Sequence, residues 1–116
     1  MLMDLNEITN KIKKFSEDRN WDKFHTPKNL TMALSVEVAE LVEIFQWLSQ
    51  EESSNLSEDN LQSVKEELAD ILIYLIRIAD KFNIDLEESV DEKILINEQK
   101  YPVELSRGNA VKYNKR

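Results

Sequence analysis

Glu37, Glu40 and Glu43 recur every third residue in LSVEVAELVEIFQWL (34–48), a stretch whose apolar rhythm is otherwise that of a buried helix. Regularly spaced charges ordinarily mark a solvated face. A second acidic pair changes that reading. Glu67 and Asp70 border or interrupt LADILIYLIRIA (68–79), which is apolar on nearly every side apart from Asp70 and Arg77. A helix apolar all round is a buried one, and an unpaired carboxylate buried there costs roughly several kcal/mol. Such an acid must be protonated, paired or bound to a cation. The chain has no cysteine, and its one histidine, His25, precedes the acidic helices. An all-carboxylate set suits a hard cation, Mg²⁺ first and Mn²⁺ as a substitute, and does not suit zinc. A ferritin-like di-iron site would need Glu-x-x-His on two helices, which is absent. Mg²⁺ usually shares its sphere with waters and phosphates, so an open site of this kind fits phosphate-ester chemistry. Two ions there can activate a water and steady the departing oxygens of an in-line attack.

Four helices are expected to position these acids. Leu5, Ile8, Ile12 and Phe15 form one stripe of a first helix over about residues 4–19. Thr26 as cap and Pro27 in the first turn open a second, expected over 27–50. Ser57 caps a third that ends near residue 82, with SQEESSNLSEDN as the loop between. Asp85 and Glu88 read as a capping box for a fourth, halted near Tyr101 by Pro102. If helices two and three form an antiparallel hairpin, Glu40 lies ten residues before Gln50 and Glu67 ten after Ser57. Both then stand ~15 Å from the turn. The i, i+3 pairs Glu37 with Glu40 and Glu67 with Asp70 converge.

Composition agrees with an all-α, four-helix bundle. One glycine, Gly108, and two prolines in 116 residues leave almost no turn chemistry for short strands, and exclude Gly-rich phosphate loops. The length fits a single domain over residues 1–116, with an irregular tail from about 103. A net charge of −8 disfavours nucleic acid as partner. No segment is long enough to span a membrane, and MLMDLNEITNKIKKF lacks a signal peptide's apolar core, so a cytoplasmic location is expected. The third helix needs more apolar cover than one small subunit offers, so the bundle is expected to be completed by self-association.

The blocks NWDKFHTPKNL, EVAELVEIFQWL, EELADILIYL and KYPVELSRGNAVKY, with EVAE at 37–40 and EELAD at 66–70, resemble the MazG-like all-α nucleoside triphosphate pyrophosphohydrolases. Within that family they look like the dCTP pyrophosphatase branch, from about Arg19 to Tyr113. The resemblance implies Mg²⁺-dependent cleavage of a deoxynucleoside triphosphate between its α and β phosphates, dCTP giving dCMP and pyrophosphate, as nucleotide-pool house-cleaning. Carried over by position, Glu37, Glu40, Glu67 and Asp70 are the metal ligands. Glu37, Glu40 or Glu43 would orient or deprotonate the attacking water, a choice the resemblance leaves open. Tyr74 and Lys81 share the stripe of Asp70 and match substrate contacts, with Asn97, Lys100 and Tyr101 supplementing Lys81 at the triphosphate. Trp21 and Trp47 offer faces to stack a pyrimidine, and His25 can hydrogen-bond its edge. Arg107 or Lys112 would reach a neighbouring subunit's phosphates. The vertebrate members carry a histidine on the first helix where this chain has Ile12, so the metal chemistry carries over more directly than the base preference. The family also implies a homo-oligomer, a dimer or a dimer of dimers, with the tetramer expected for this branch.

Two other readings compete. One is a broad-specificity MazG-type enzyme, separable by initial rates across nucleotides. The other is a helical interaction module whose acids hold a structural cation, which predicts no turnover.

Overall fold

A computed structural model describes residues 3–115, so Met1 and Leu2 of the N-terminal stretch lie outside the described residues. The described residues form helices and no strand. The chain divides into two compact units, the first running up to Asn83 and the second beginning at Ile84.

In the first unit, α1 (Leu5–Asp18) starts on Asp4, whose side chain accepts from the N–H groups of Asn6 and Glu7. Its end is a left-handed turn at Asn20, with φ 55°. There the Asn20 N–H reaches Glu17 O at 3.0 Å and the Trp21 N–H reaches Ser16 O at 2.9 Å. Both bonds together are a Schellman closure. It folds Trp21 back so that its ring meets the edge of Phe15, centroids 5.6 Å apart. A side chain at positive φ is strained unless it is Gly or Asn. Asn20→Ala is therefore expected to destabilise the fold by about 1 kcal/mol while Asn20→Gly does not. Equilibrium denaturation of both variants checks this, and equal stability would remove the turn from the account of how Trp21 is placed.

A 3₁₀ turn, Asp22–Phe24, leads into α2 (Pro27–Phe45). Thr26 caps it by accepting from Asn29 N at 3.2 Å, and Asn29 Nδ2 ties back to Phe24 O at 3.0 Å. The helix ends at Phe45, a turn and more before the expected residue 50. The reason is a competing start: Ser49 and Glu52 form a complete capping box that nucleates the short α3 (Gln50–Ser54) inside the expected loop. Ser57 then caps α4 (Glu58–Lys81), accepting from Asn60 N at 3.2 Å. α4 packs along α2 and, more briefly, against α1. Leu30 of α2 and Ile76 and Ala79 of α4 are buried, together with Ser16 and Arg77. The apolar run of α4 is not enclosed within this one chain, since Leu68 is 53 % exposed, Ile73 41 % and Leu75 41 %.

The second unit holds α5 (Leu86–Lys100), opened by Asp85 accepting from Glu88 N at 3.0 Å. Only that half of the expected capping box forms. The tail expected to be irregular contains α6 (Val103–Ser106) and a 3₁₀ turn, Tyr113–Lys115. No helix of the described residues is long and apolar enough to cross a membrane.

Candidate active site

Glu37 projects from α2, and Glu67 and Asp70 one turn apart from α4. One carboxylate oxygen from each of the three lies within 4.8 Å of the others. Glu40 lies close enough to raise the carboxyls of both Glu37 and Glu67 without joining the three-way group. Glu43, one turn further along α2, is exposed and stands outside the group. α2 and α4 thus bring the two acidic pairs of the sequence together, although α2 stops at Phe45.

Glu37 Oε2 and Glu67 Oε2 are shut off from solvent and have no hydrogen-bond partner. Two ionised carboxylates offer each other no donor, so the pair must hold a proton or a cation between them. In the cation-free protein the proton wins. Glu37 is pushed up to about 7 from an ordinary 4.5, first by hydrogen bonding with Glu67, then by burial, then by the bond and charge of Glu40. At Glu67 the bond from Glu37 favours the ionised form, but burial, Glu40 and Asp70 outweigh it and the net shift is upward. An all-oxygen set with two orphaned inward oxygens fits a hard divalent cation.

Asp70 also lines a cavity of about 420 Å³ beside the acids, with Trp21, His25, Tyr74, Ile12 and Arg77 among its walls. That volume falls within the range of small-molecule sites. The Trp21 ring meets the edges of both Phe15 and His25, the latter with centroids 6.1 Å apart. Burial, then the charges of Glu37 and Asp70, push the Tyr74 hydroxyl above its ordinary value, so it stays a donor next to the acids. His25 is held below its ordinary value by burial and then by Lys81, so its ring is neutral near pH 7.

Of the residues expected from sequence, Trp21, His25 and Tyr74 thus meet around one cavity that Asp70 joins to the acid group. Trp47 does not: it lies beyond the end of α2 and is 87 % exposed. Lys81 stands 3.7 Å from Asp22, with its side chain 26 % exposed. In the second unit, Asn97 is exposed on α5. There Lys100 Nζ lies 4.8 Å from the Tyr113 ring centroid, and Tyr101 meets that ring edge-on. Arg107 and Lys112 are exposed.

Sequence reading missed the role of Arg77. It is 3 % exposed, ion-paired to Asp22 and, at 3.6 Å, to Asp80, and its Nε donates to His25 Nδ1 at 3.4 Å. The signal was there, because a guanidinium buried in an apolar helix needs partners, whereas Asp70, expected to be buried in the same run, is exposed.

Three comparisons bear on this arrangement. The model of the MazG-like family matches residues 32–115. The fold superposes with a TM-score of 0.81 on the crystal structure of a pyrophosphatase from Archaeoglobus fulgidus, 43 % identical, covering 88 % of this chain and 95 % of that one. The chain is 44 % identical over 102 residues to dCTP pyrophosphatase 1 of Mus musculus and 40 % identical to that of Homo sapiens. In each case 86 % of this chain is covered, but it spans only 60 % of the relative's length. A match that takes in Glu37, Glu40, Glu67 and Asp70 and runs to residue 115 establishes that this chain belongs to the MazG-like family.

Proposed function

We propose that the chain is a Mg²⁺-dependent nucleoside triphosphate pyrophosphohydrolase acting on dCTP, in cytoplasmic house-cleaning of the nucleotide pool. One observation supports the reading: Glu37 and Glu67, each with an orphaned oxygen, group with Asp70, which also lines a cavity walled by Trp21, His25 and Tyr74. The names of the relatives supply the nucleotide.

In this reading Glu37, Glu67 and Asp70 hold the metal, with Glu40 beside them. A bound Mg²⁺ supplies charge neutralisation at the phosphates and makes a coordinated water more acidic. Glu40, next to the group but outside its closest three, takes the proton from the attacking water. General-base help of this kind is typically worth about 10²–10⁴-fold. One water is consumed, the anhydride between the α and β phosphates opens, and dCMP and pyrophosphate leave. Trp21 stacks on the base, His25 meets its edge, and Tyr74 bridges the base cavity to the acids. Lys81 is the proposed phosphate contact of the first unit.

Self-association belongs to the same proposal. α4 leaves Leu68, Ile73 and Leu75 at 41–53 % exposure, and a homotetramer would cover such residues and give the exposed Trp47 a site to serve. The direct experiment is pyrophosphate release from a panel of dNTPs and NTPs, each with Mg²⁺ and with chelator, on protein whose mass in solution is read by light scattering. Mg²⁺-dependent release led by dCTP from a tetramer is expected. Slow release from many nucleotides would replace dCTP by a broad substrate range, silence throughout would sink the enzyme, and a monomeric mass would sink the assembly.

A further inference from the structure

We propose that Arg77 is a positioning residue that holds His25 as a neutral imidazole with its single proton on Nε2, so that the cavity presents a hydrogen-bond donor to an acceptor on the nucleobase. The second half rests on the nucleotide reading above; the first does not. Arg77 is fixed from two sides, by Asp22 at the start of the 3₁₀ turn and by Asp80 on its own helix. Its side chain is 4 % exposed. A guanidinium has donors only and does not lose its proton, so the ring nitrogen that faces Arg77 Nε must carry a lone pair. That nitrogen is Nδ1, 3.4 Å away. The imidazole proton is thereby sent to Nε2, for which no described residue supplies an acceptor. His25 lines the same cavity as Trp21 and Tyr74.

The consequence is selectivity by hydrogen-bond polarity. Cytosine offers an acceptor at N3, where thymine and uracil carry a proton, so an Nε2–H aimed at N3, and not at the O2 carbonyl that all three share, tells them apart. A ring free to flip its tautomer could adjust to either edge. A ring locked as a donor leaves a buried polar group unmatched against the wrong one, which is where strong discrimination comes from. A merely structural Arg77 would be an inefficient solution, since buried ion pairs are often replaceable by apolar packing without loss of stability.

His25 is the chain's only histidine, so ¹⁵N-resolved NMR of the imidazole reads one ring without assignment. At pH 7 the free wild-type protein is expected to show an unprotonated Nδ1 and a protonated Nε2. Arg77→Met is expected to give a tautomer mixture, and to raise KM for dCTP about 10-fold with kcat within about twofold, the loss of one polar contact. Asp22→Asn loosens the same tether without emptying a buried site, and serves if Arg77→Met fails to fold; it should shift the tautomer in the same direction. A wild-type proton on Nδ1, or an unchanged tautomer in a folded variant, overturns the proposal. An inactive chain in which the Nε2 proton is present and then lost in the variants would overturn the nucleotide reading while upholding Arg77's hold on His25.

Discussion

Replacing Glu67 by Gln is expected to cut pyrophosphate release by more than about 100-fold, and at the same time to raise the melting temperature of the metal-free protein. The two effects have one cause. Glu67 Oε2 is turned inward beside Glu37 with no hydrogen-bond partner. In the absence of a cation that arrangement is unfavourable, because like charges and burial both oppose ionisation. A glutamine amide donates to Glu37 and removes the repulsion, so the metal-free fold gains. The same exchange deletes a charged ligand from the group of Glu37, Glu67 and Asp70. Outer-shell partners of a metal already cost roughly 10- to 100-fold when mutated, and a direct ligand should cost more. Asp70→Asn should lose turnover likewise, but with a smaller gain in stability, since Asp70 is exposed. Circular dichroism establishes that the helices persist in both. Turnover within tenfold of wild type in Glu67→Gln would remove Glu67 from the site. Lost turnover with a lowered melting temperature would make it a structural residue and not a strained ligand.

How far such residues could be read from the sequence depended on whether their signal was local. The helix starts were legible because Thr26, Ser57 and Asp85 are caps acting within one turn. Ser49 and Glu52 form the same kind of signal, but lie in a stretch whose polarity reads as loop, and the short helix they open also sets where α2 stops. The convergence of Glu37, Glu67 and Asp70 followed from placing helices two and three as a hairpin. The i, i+3 spacing within each helix carried that reading, so the misplaced end of α2 did not disturb it. Trp47 shows the cost of the misplaced end: it falls inside the helix expected over 27–50, yet α2 ends before it, and it is 87 % exposed. Arg77 with Asp22 and His25 joins positions 52 to 55 residues apart, and no periodicity within one helix announces such a contact.

The stability of the metal-free protein should carry a pH signature of the acid pair, and this is the second large expected effect. Glu37 titrates near 7 when folded against 4.5 when unfolded, and Glu67 is shifted in the same direction. Between those values the folded chain binds more protons than the unfolded one, so this contribution falls as pH rises through the window and is flat beyond it. His25 acts oppositely. Its folded value lies below 6.5, so it adds stability as pH rises toward 6.5. A bare melting curve therefore mixes the two. The difference between Glu37→Gln and wild type isolates the acids, because His25 is common to both. That difference in Tm should favour the variant increasingly from about pH 4.5 to 7 and then level off. Mg²⁺ competes with the same protons, so its stabilisation of wild type should grow over the same window and be largely absent in Glu37→Gln. A Tm difference that is constant with pH would mean that Glu37 is ionised in the metal-free fold. A full Mg²⁺ response in the variant would place the cation elsewhere.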